Sequence, residues 1–282
     1  MPFLFADDTN LLHHNKDPNI LQHEINQDLI KISEWLKINR LSLNIKKTHF
    51  MVFSNKKSQV DIKLTIDCNE IDRVEQTKFL GVIIDKNLDW SKHISYISGK
   101  VSRGLGIITK ARKYLPREAI LSLYYSFIYP YLIYCNVVWG TALSIHQNKL
   151  RKLQKRAIRI IAGVKRREST DPLFNKFNLL KLNEINKYMT GRFMFKVFSH
   201  HILDIFQELF LRNCDVHSHD TRQLTTHYIL PKVRTEYCKR GIRFHGAKLW
   251  NKIMNKEIPY DCSEAVFSIS LKKALINGQI ID

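Results

Sequence analysis

An α+β fold is predicted by three features of this sequence. The first 90 residues hold short apolar runs punctuated by turn residues, one long amphipathic repeat lies among them, and helical periodicity dominates from Ser91 onward. At 282 residues, with 44% hydrophobic and 11% aromatic side chains, the chain has material for two cored domains and falls outside the disordered class.

At the start of the chain, Phe3, Leu4 and Phe5 form one apolar arm and Leu11 and Leu12 another, with Asp7-Asp8-Thr9-Asn10 between them. Short polar side chains of that kind bond their own backbone in turns, so the segment predicts a hairpin with both carboxylates at its tip. Asp17-Pro18-Asn19 opens a helix, and Leu21, Ile25, Leu29, Ile32 and Leu36 form one apolar stripe along it. That stripe should pack on the sheet carrying the hairpin. Leu41 to Asn44, Phe50 to Phe53, Ile62 to Ile66 and Phe79 to Ile84 are short strand candidates, expected to pair antiparallel. From Ala119 to Ile145 no residue is charged, which is long enough to span a bilayer. Five tyrosines, Asn136 and the central Pro130 fit a buried helix broken at the proline better than a membrane span.

Charge is distributed unevenly. Residues 1–90 hold 12 Lys and Arg against 13 Asp and Glu, whereas residues 91–282 hold 33 against 13, so the net charge of +19 belongs to the later part. Residues 91–170 alone carry 16 basic and 2 acidic side chains. On the predicted helix 146–164, Leu150, Leu153, Ala157, Ile160 and Ile161 make a core stripe, while Lys152, Lys155, Arg156 and Arg159 share the opposite or flanking face. Like charges at such spacings repel, by a few tenths of a kcal/mol per pair, and an anionic partner relieves this. Lys165, Arg166 and Arg167 extend the patch. Lys100, Arg103, Lys110, Arg112 and Lys113 surround Val101, Leu105 and Ile108 in an earlier helix. A polyanion such as nucleic acid is the expected partner, with a solvated basic face as the plainer reading and an anionic membrane surface as a third.

Two carboxylates as close as Asp7 and Asp8 raise each other's proton affinity unless a cation compensates, and magnesium suits hard oxygen ligands. An acidic turn without metal is the alternative. The five cysteines are odd in number and scattered, and no signal peptide is evident, which favours reduced thiols in an intracellular protein, nuclear or cytoplasmic. Cys214, His217 and His219, with Cys238 and His245 beyond, invite a zinc reading, but their spacing matches no recognised finger, and ordinary packing is the expectation.

Phe5-Ala6-Asp7-Asp8 resembles the aromatic-x-Asp-Asp box of reverse transcriptases, and the sequence downstream of it resembles the non-LTR (LINE-type, jockey-like) retrotransposon enzymes. LSLNIKKTHFMVF (Leu41 to Phe53) is similar to their Leu-x-Leu-Asn-x-x-Lys-Thr segment. KFLGVIIDKNLDWSKHI, with Asp85, Leu88, Trp90 and His93, is similar to their primer grip and the start of their thumb. SLYYSFIYPYLIYCNVVWG, LQKRAIRIIAG and RFHGAKLWN resemble their C-terminal region. The resemblance implies an RNA-directed DNA polymerase fragment with three parts. These are a partial palm over 1–90 with the box and primer grip, a basic helical thumb over 91–170, and a basic C-terminal region over 171–282. It also implies roles. Asp7 and Asp8 belong to a two-magnesium site, Lys47 is a candidate proton donor to the leaving group, and Phe79, Leu80 and Gly81 are the primer grip. The partners it implies are an RNA template, a DNA primer duplex and deoxynucleotides, with no membrane. On residues alone, Lys47 is equally a solvent-exposed charge, and Phe79 to Gly81 a core strand and turn.

The family's third carboxylate lies upstream of the box, and only six residues precede Asp7. The expectation is therefore a polypeptide that binds nucleic acid without synthesis, with part of its sheet uncovered. A non-catalytic nucleic-acid-binding module and an interaction protein with an acidic partner remain open as other readings.

Overall fold

A computed structural model describes residues 2–6, 8–54, 61–216, 225–256 and 258–280, and the chain divides into two compact units, Met1–Leu88 and Asp89–Asp282.

The first unit is α+β. Strands β1 (Pro2–Phe5) and β2 (Asp8–Leu11) form a hairpin, followed by helix α1 (Pro18–Ile38). Asp17 starts α1 as foreseen. Its carboxylate accepts from the Asn19 N–H at 2.8 Å, and Pro18, which lacks an N–H, occupies the first turn. The buried side of α1, centred on Leu29, packs against Ile62, Leu64, Ile66 and Ile71, with Leu11 of β2 at the margin. The stripe therefore meets chiefly the 62–71 segment rather than the first hairpin.

That segment explains a strand shorter than its pattern. Ile62, Leu64 and Ile66 are buried while Lys63 and Thr65 are exposed, a clean period of two, yet only β4 (Thr65–Ile66) and β5 (Asn69–Glu70) form a ladder. Amides on α1 take the place of a partner strand. Gln22 Oε1 accepts from Lys63 N–H at 2.8 Å, and Asn26 accepts from Thr65 N–H at 3.1 Å and donates to the Lys63 carbonyl at 3.3 Å.

The remaining strands are short. β3 (His49–Phe50) pairs with β6 (Asp72–Arg73) in parallel, contrary to the expected antiparallel arrangement, because the chain returns through β4 and β5 before pairing. Leu41 to Asn44 is not a strand. Asn44 instead caps a single 3-10 turn, Ile45–Lys47. Phe79 to Ile84 is a hairpin rather than one strand: β7 (Gln76–Phe79) and β8 (Val82–Asp85) pair around Leu80 and Gly81.

The second unit is helical: α2 (Ser91–Ala111), α3 (Arg117–Phe127), α4 (Tyr129–Ile133), α5 (Asn136–Trp139), α6 (Ser144–Ala162), α7 (Asp171–Lys176), α8 (Leu182–Phe198), α9 (Asp204–Gln207), α10 (Glu236–Arg240), α11 (Ile242–Met254) and α12 (Glu264–Ile276). The uncharged stretch does break near its proline, at Ile128 between α3 and α4, and no helix among the described residues is long and apolar enough to cross a membrane.

Helices α2 and α6 pack side by side and run the same way, their starts meeting at one end and their far ends at the other. At their starts, burial pushes the Asp89 carboxyl up, but Ser91, which donates its N–H at 2.7 Å, together with His146 and Lys92 brings it below the usual range. At their far ends, a side chain placed on Gly163 would meet the Arg112 guanidinium at 3.2 Å. Gly163 itself closes α6 in the left-handed conformation, φ +79°. The α3–α5 connection makes this parallel pairing feasible.

Helix α8 shares one core with helices on both sides of it in sequence, packing on α4, α5 and α6 and on α11 and α12. Buried amides fix these joints. Gln154 of α6 donates to Tyr124 Oη at 3.1 Å and to the Leu180 carbonyl at 2.9 Å, and accepts from the Leu182 N–H at 3.0 Å. Asn186 of α8 donates to Asn136 Oδ1 at 3.0 Å and to the Asn136 carbonyl at 3.3 Å. Each sits where an apolar side chain would leave backbone groups unpaired.

Candidate functional site

Phe5 pairs with Asp8, so only Ala6 and Asp7 connect the two arms of the first hairpin. Ala6 has φ +52°, the left-handed conformation that two-residue hairpin turns ask of their first central residue. The turn is thus tighter than Asp-Asp-Thr-Asn suggested, with Thr9 and Asn10 inside β2. Asp8 is exposed at the first position of β2, and Asp7 lies outside the described residues. Both arms stay largely in water, Leu4 being 74% exposed. Lys47 ends the 3-10 turn, its backbone N–H bound to the Asn44 carbonyl at 3.0 Å and to Asn44 Oδ1 at 3.2 Å, and its side chain is exposed.

Among the described residues no three His, Cys, Asp or Glu side chains converge as a metal site, so the donor set for magnesium is not assembled there. The same holds for zinc. Cys214 and Cys238 are exposed, all five cysteines are free thiols, and His217 and His219 lie outside the described residues.

Phe79, Leu80 and Gly81 occupy the turn of the second hairpin. Phe79 is half-buried and pairs with Val82, while Leu80 (φ +44°) and Gly81 (φ +83°) both adopt the left-handed conformation. Glycine does so freely. Leucine does so at a cost of about 1–2 kcal/mol, because its Cβ crowds the following carbonyl. That cost concealed the turn from a reading based on Asn-Gly signals.

The basic residues fall into two groups. Lys152, Lys155 and Arg156 are exposed along α6, opposite the buried Leu150, Gln154, Ala157, Ile158 and Ile161. Leu153 and Ile160, expected in the core stripe, are half-buried, because Gln154 and Ile158 take the inward positions. Arg159 is half-buried and donates from Nε to the Glu168 carbonyl at 2.8 Å, so it also braces the loop after α6. On α2, Arg103 and Lys110 stand two turns apart on the exposed side, and Lys100 is half-buried with Nζ 5.5 Å from the centre of the Tyr96 ring.

The second group surrounds the paired ends of α2 and α6. Lys110, Arg112 and Lys113 lie at the end of α2, and Lys165, Arg166 and Arg167 come just after α6; all six are exposed. The Arg112–Gly163 approach draws these two sequence-distant sets to one end of the unit. The described ion pairs of this unit use other cations, Lys181 with Asp171 and Glu184, Arg192 and Lys196 with Glu264, and Lys239 with Glu236. Tyr114 stands beside Lys113 at 84% exposure; the interleaving of an aromatic with Arg112 and Lys113 was the available signal for it.

The RFHGAKLWN segment is structural. Gly246 abuts Met194, Trp250 Nε1 donates to the Thr226 carbonyl at 2.9 Å, and Asn251 pairs with both backbone groups of Tyr228, at 2.9 and 2.8 Å.

No protein-family model matches the chain, and no solved structure matches it. Curated relatives do. The chain is 28% identical over 163 residues to the RNA-directed DNA polymerase from mobile element jockey of Drosophila melanogaster, covering 56% of this chain and 18% of that protein. It is 25% identical over 204 residues to the probable RNA-directed DNA polymerase from transposon BS, covering 70% and 22%, and 24% identical over 189 residues to that from transposon X-element, covering 65% and 21%, both also of Drosophila melanogaster. The matched region therefore spans about a fifth of each relative's length. Over more than half of its residues, this chain is similar to the RNA-directed DNA polymerases of jockey-like non-LTR retrotransposons.

Proposed function

We infer that this chain is the rear-palm, thumb and C-terminal portion of an RNA-directed DNA polymerase of the non-LTR retrotransposon type. The observation that carries the reading is the similarity of 56–70% of the chain to such polymerases. The remaining features agree with it. An aromatic-x-Asp-Asp string lies at a tight hairpin, and a helical unit presents exposed cations suited to phosphates.

In this reading Asp7 and Asp8 belong to the magnesium site, Lys47 stands near the leaving group, and Phe79, Leu80 and Gly81 grip the primer. The cations of α2, α6 and the segment after α6 hold an RNA–DNA duplex through its backbone, as the shape of A-like helices requires. Two carboxylates bind a divalent cation weakly, so the 282-residue polypeptide on its own binds nucleic acid without extending a primer. Purified protein tests both parts. Hybrid binding should weaken with salt, with a slope of log affinity on log salt reaching about −5 if the six terminal cations each meet a phosphate. Primer extension on an RNA template that is lost on Asp7→Asn would overturn the inactive-alone reading. Failure to bind any duplex at low salt would overturn the polymerase reading in favour of an acidic protein partner.

The basic surface also fits a binding module in which the carboxylate box has no part. Duplex binding that falls steeply with salt yet ignores replacement of Asp7 and Asp8 would favour that second reading.

A further inference from the structure

We propose that the paired ends of α2 and α6 form a junction-binding site, in which Tyr114 stacks on an unpaired base beside a duplex end held by the surrounding cations. This rests on the nucleic-acid reading above and adds to it a base-stacking residue, Tyr114, that duplex alone would not engage.

Three observations support it. The first is the gathering of two distant segments. Lys110, Arg112 and Lys113 and Lys165, Arg166 and Arg167 are separated by more than fifty positions, yet the Arg112–Gly163 approach brings their segments together. Six exposed cations at one end favour a polyanion, and phosphates at a duplex end match that charge.

The second is the ring itself. Tyr114 is 84% exposed, well above Tyr125 at 40% and Tyr134 at 52%, while Tyr124 is buried and Tyr129 half-buried in the core. An aromatic face in water among cations offers what an unpaired base needs, whereas bases within a duplex already stack on one another. Leu115, 44% exposed, adds apolar surface beside it.

The third is rigidity. Tyr114 comes soon after the end of α2, and its N–H donates to the Ala111 carbonyl at 2.9 Å, as does that of Leu115 at 3.0 Å. The turn holding the ring therefore continues the hydrogen bonding of the helix. With its backbone held in this way, the residue gives up only side-chain freedom on stacking.

The test compares three fluorescently labelled RNA–DNA hairpins: blunt, with a three-nucleotide RNA overhang, and with a three-nucleotide DNA overhang. Binding to the 282-residue chain is followed by anisotropy at low salt. Tyr114→Ala should weaken binding of an overhang hairpin by about 5- to 30-fold, with the blunt hairpin changed less than about twofold, and Tyr114→Phe should retain wild-type affinity. The overhang that responds identifies whether template-like RNA or primer-like DNA is stacked. Arg112→Gln with Lys113→Gln should weaken all three alike. Equal loss on blunt and overhang hairpins with Tyr114→Ala, or no loss on either, overturns the stacking site while leaving duplex binding intact. Absence of binding to every hairpin overturns both readings.

Discussion

Alanine at Gly140 tests the joint between α5 and α8. The backbone there is ordinary, φ −70°, so alanine meets no conformational barrier of its own. The obstacle is space. An added Cβ would lie 2.3 Å from Asn136 Oδ1, 2.3 Å from Asn186 Nδ2 and 2.5 Å from the Asn136 carbonyl oxygen. None of these is the free end of a flexible chain, because the two buried asparagines hold one another at 3.0 Å and Asn136 Nδ2 donates to the Leu132 carbonyl at 2.8 Å. Overfilling a packed site costs about 1–3 kcal/mol. Displacing the Asn186 amide leaves buried polar atoms unpaired, at about 1–3 kcal/mol more. Gly140→Ala should therefore destabilise the second unit by about 2–6 kcal/mol, a large share of a typical domain's stability. Urea unfolding followed by tryptophan fluorescence reads this directly, since Trp139 and Trp250 are fully buried in that unit. Asn186→Ala removes the clashing amide, so the double replacement should cost less than the two single ones combined. A cost below about 1 kcal/mol for Gly140→Ala, or strict additivity with Asn186→Ala, would refute the close-approach explanation.

Three other joints give further expected outcomes. Gln154→Met keeps the volume but strands the Leu182 N–H and Leu180 carbonyl, and should cost about 2–4 kcal/mol in the same urea titration. Leu80→Asn relieves left-handed leucine at the β7–β8 turn and should stabilise the first unit by up to about 1 kcal/mol in thermal unfolding; destabilisation would mean that Leu80 packing outweighs its strain. His93 is buried on α2 with its ring 5.7 Å from that of Trp139, and burial holds its imidazole below the usual 6.5. The unfolded chain therefore binds the proton more readily, so stability should fall as pH drops below about 6.5, and His93→Gln should flatten that dependence. Unchanged acid sensitivity in His93→Gln would assign it to other groups.

Periodicity made the long elements legible. α1, α2 and α6 each carry an apolar repeat at helical spacing, and Asp17-Pro18 marks a helix start by chemistry that acts locally. The hairpins were harder, because their turns use Ala6, Asp67, Cys68 and Leu80 at positive φ rather than the Asn-Gly pairs that announce such turns. Amides that bond backbone groups were hidden altogether. Gln22, Asn26, Asn136, Gln154 and Asn186 look like surface residues interrupting an apolar face, and only the tertiary partner shows them to be substitutes for missing backbone bonds. Of the candidate site, the basic residues could be read one helix at a time. Their convergence could not, since the parallel course of α2 and α6 depends on how the intervening helices fold back.

That parallel course also bears on how the second unit forms. Neighbouring helices joined by a short loop would run antiparallel and could assemble as soon as both existed. α2 and α6 must instead wait for the 32 residues between Ala111 and Ser144 to be ordered, a nonlocal closure of the kind that slows folding. Until then Lys110 to Lys113 and Lys165 to Arg167 are two separate basic stretches. A polyanion can bind either loosely in the unfolded chain, but a ligand that needs both at once favours the native state by mass action. Retention of such a ligand would then report the completed helix pair, so its release on heating would track loss of the fold.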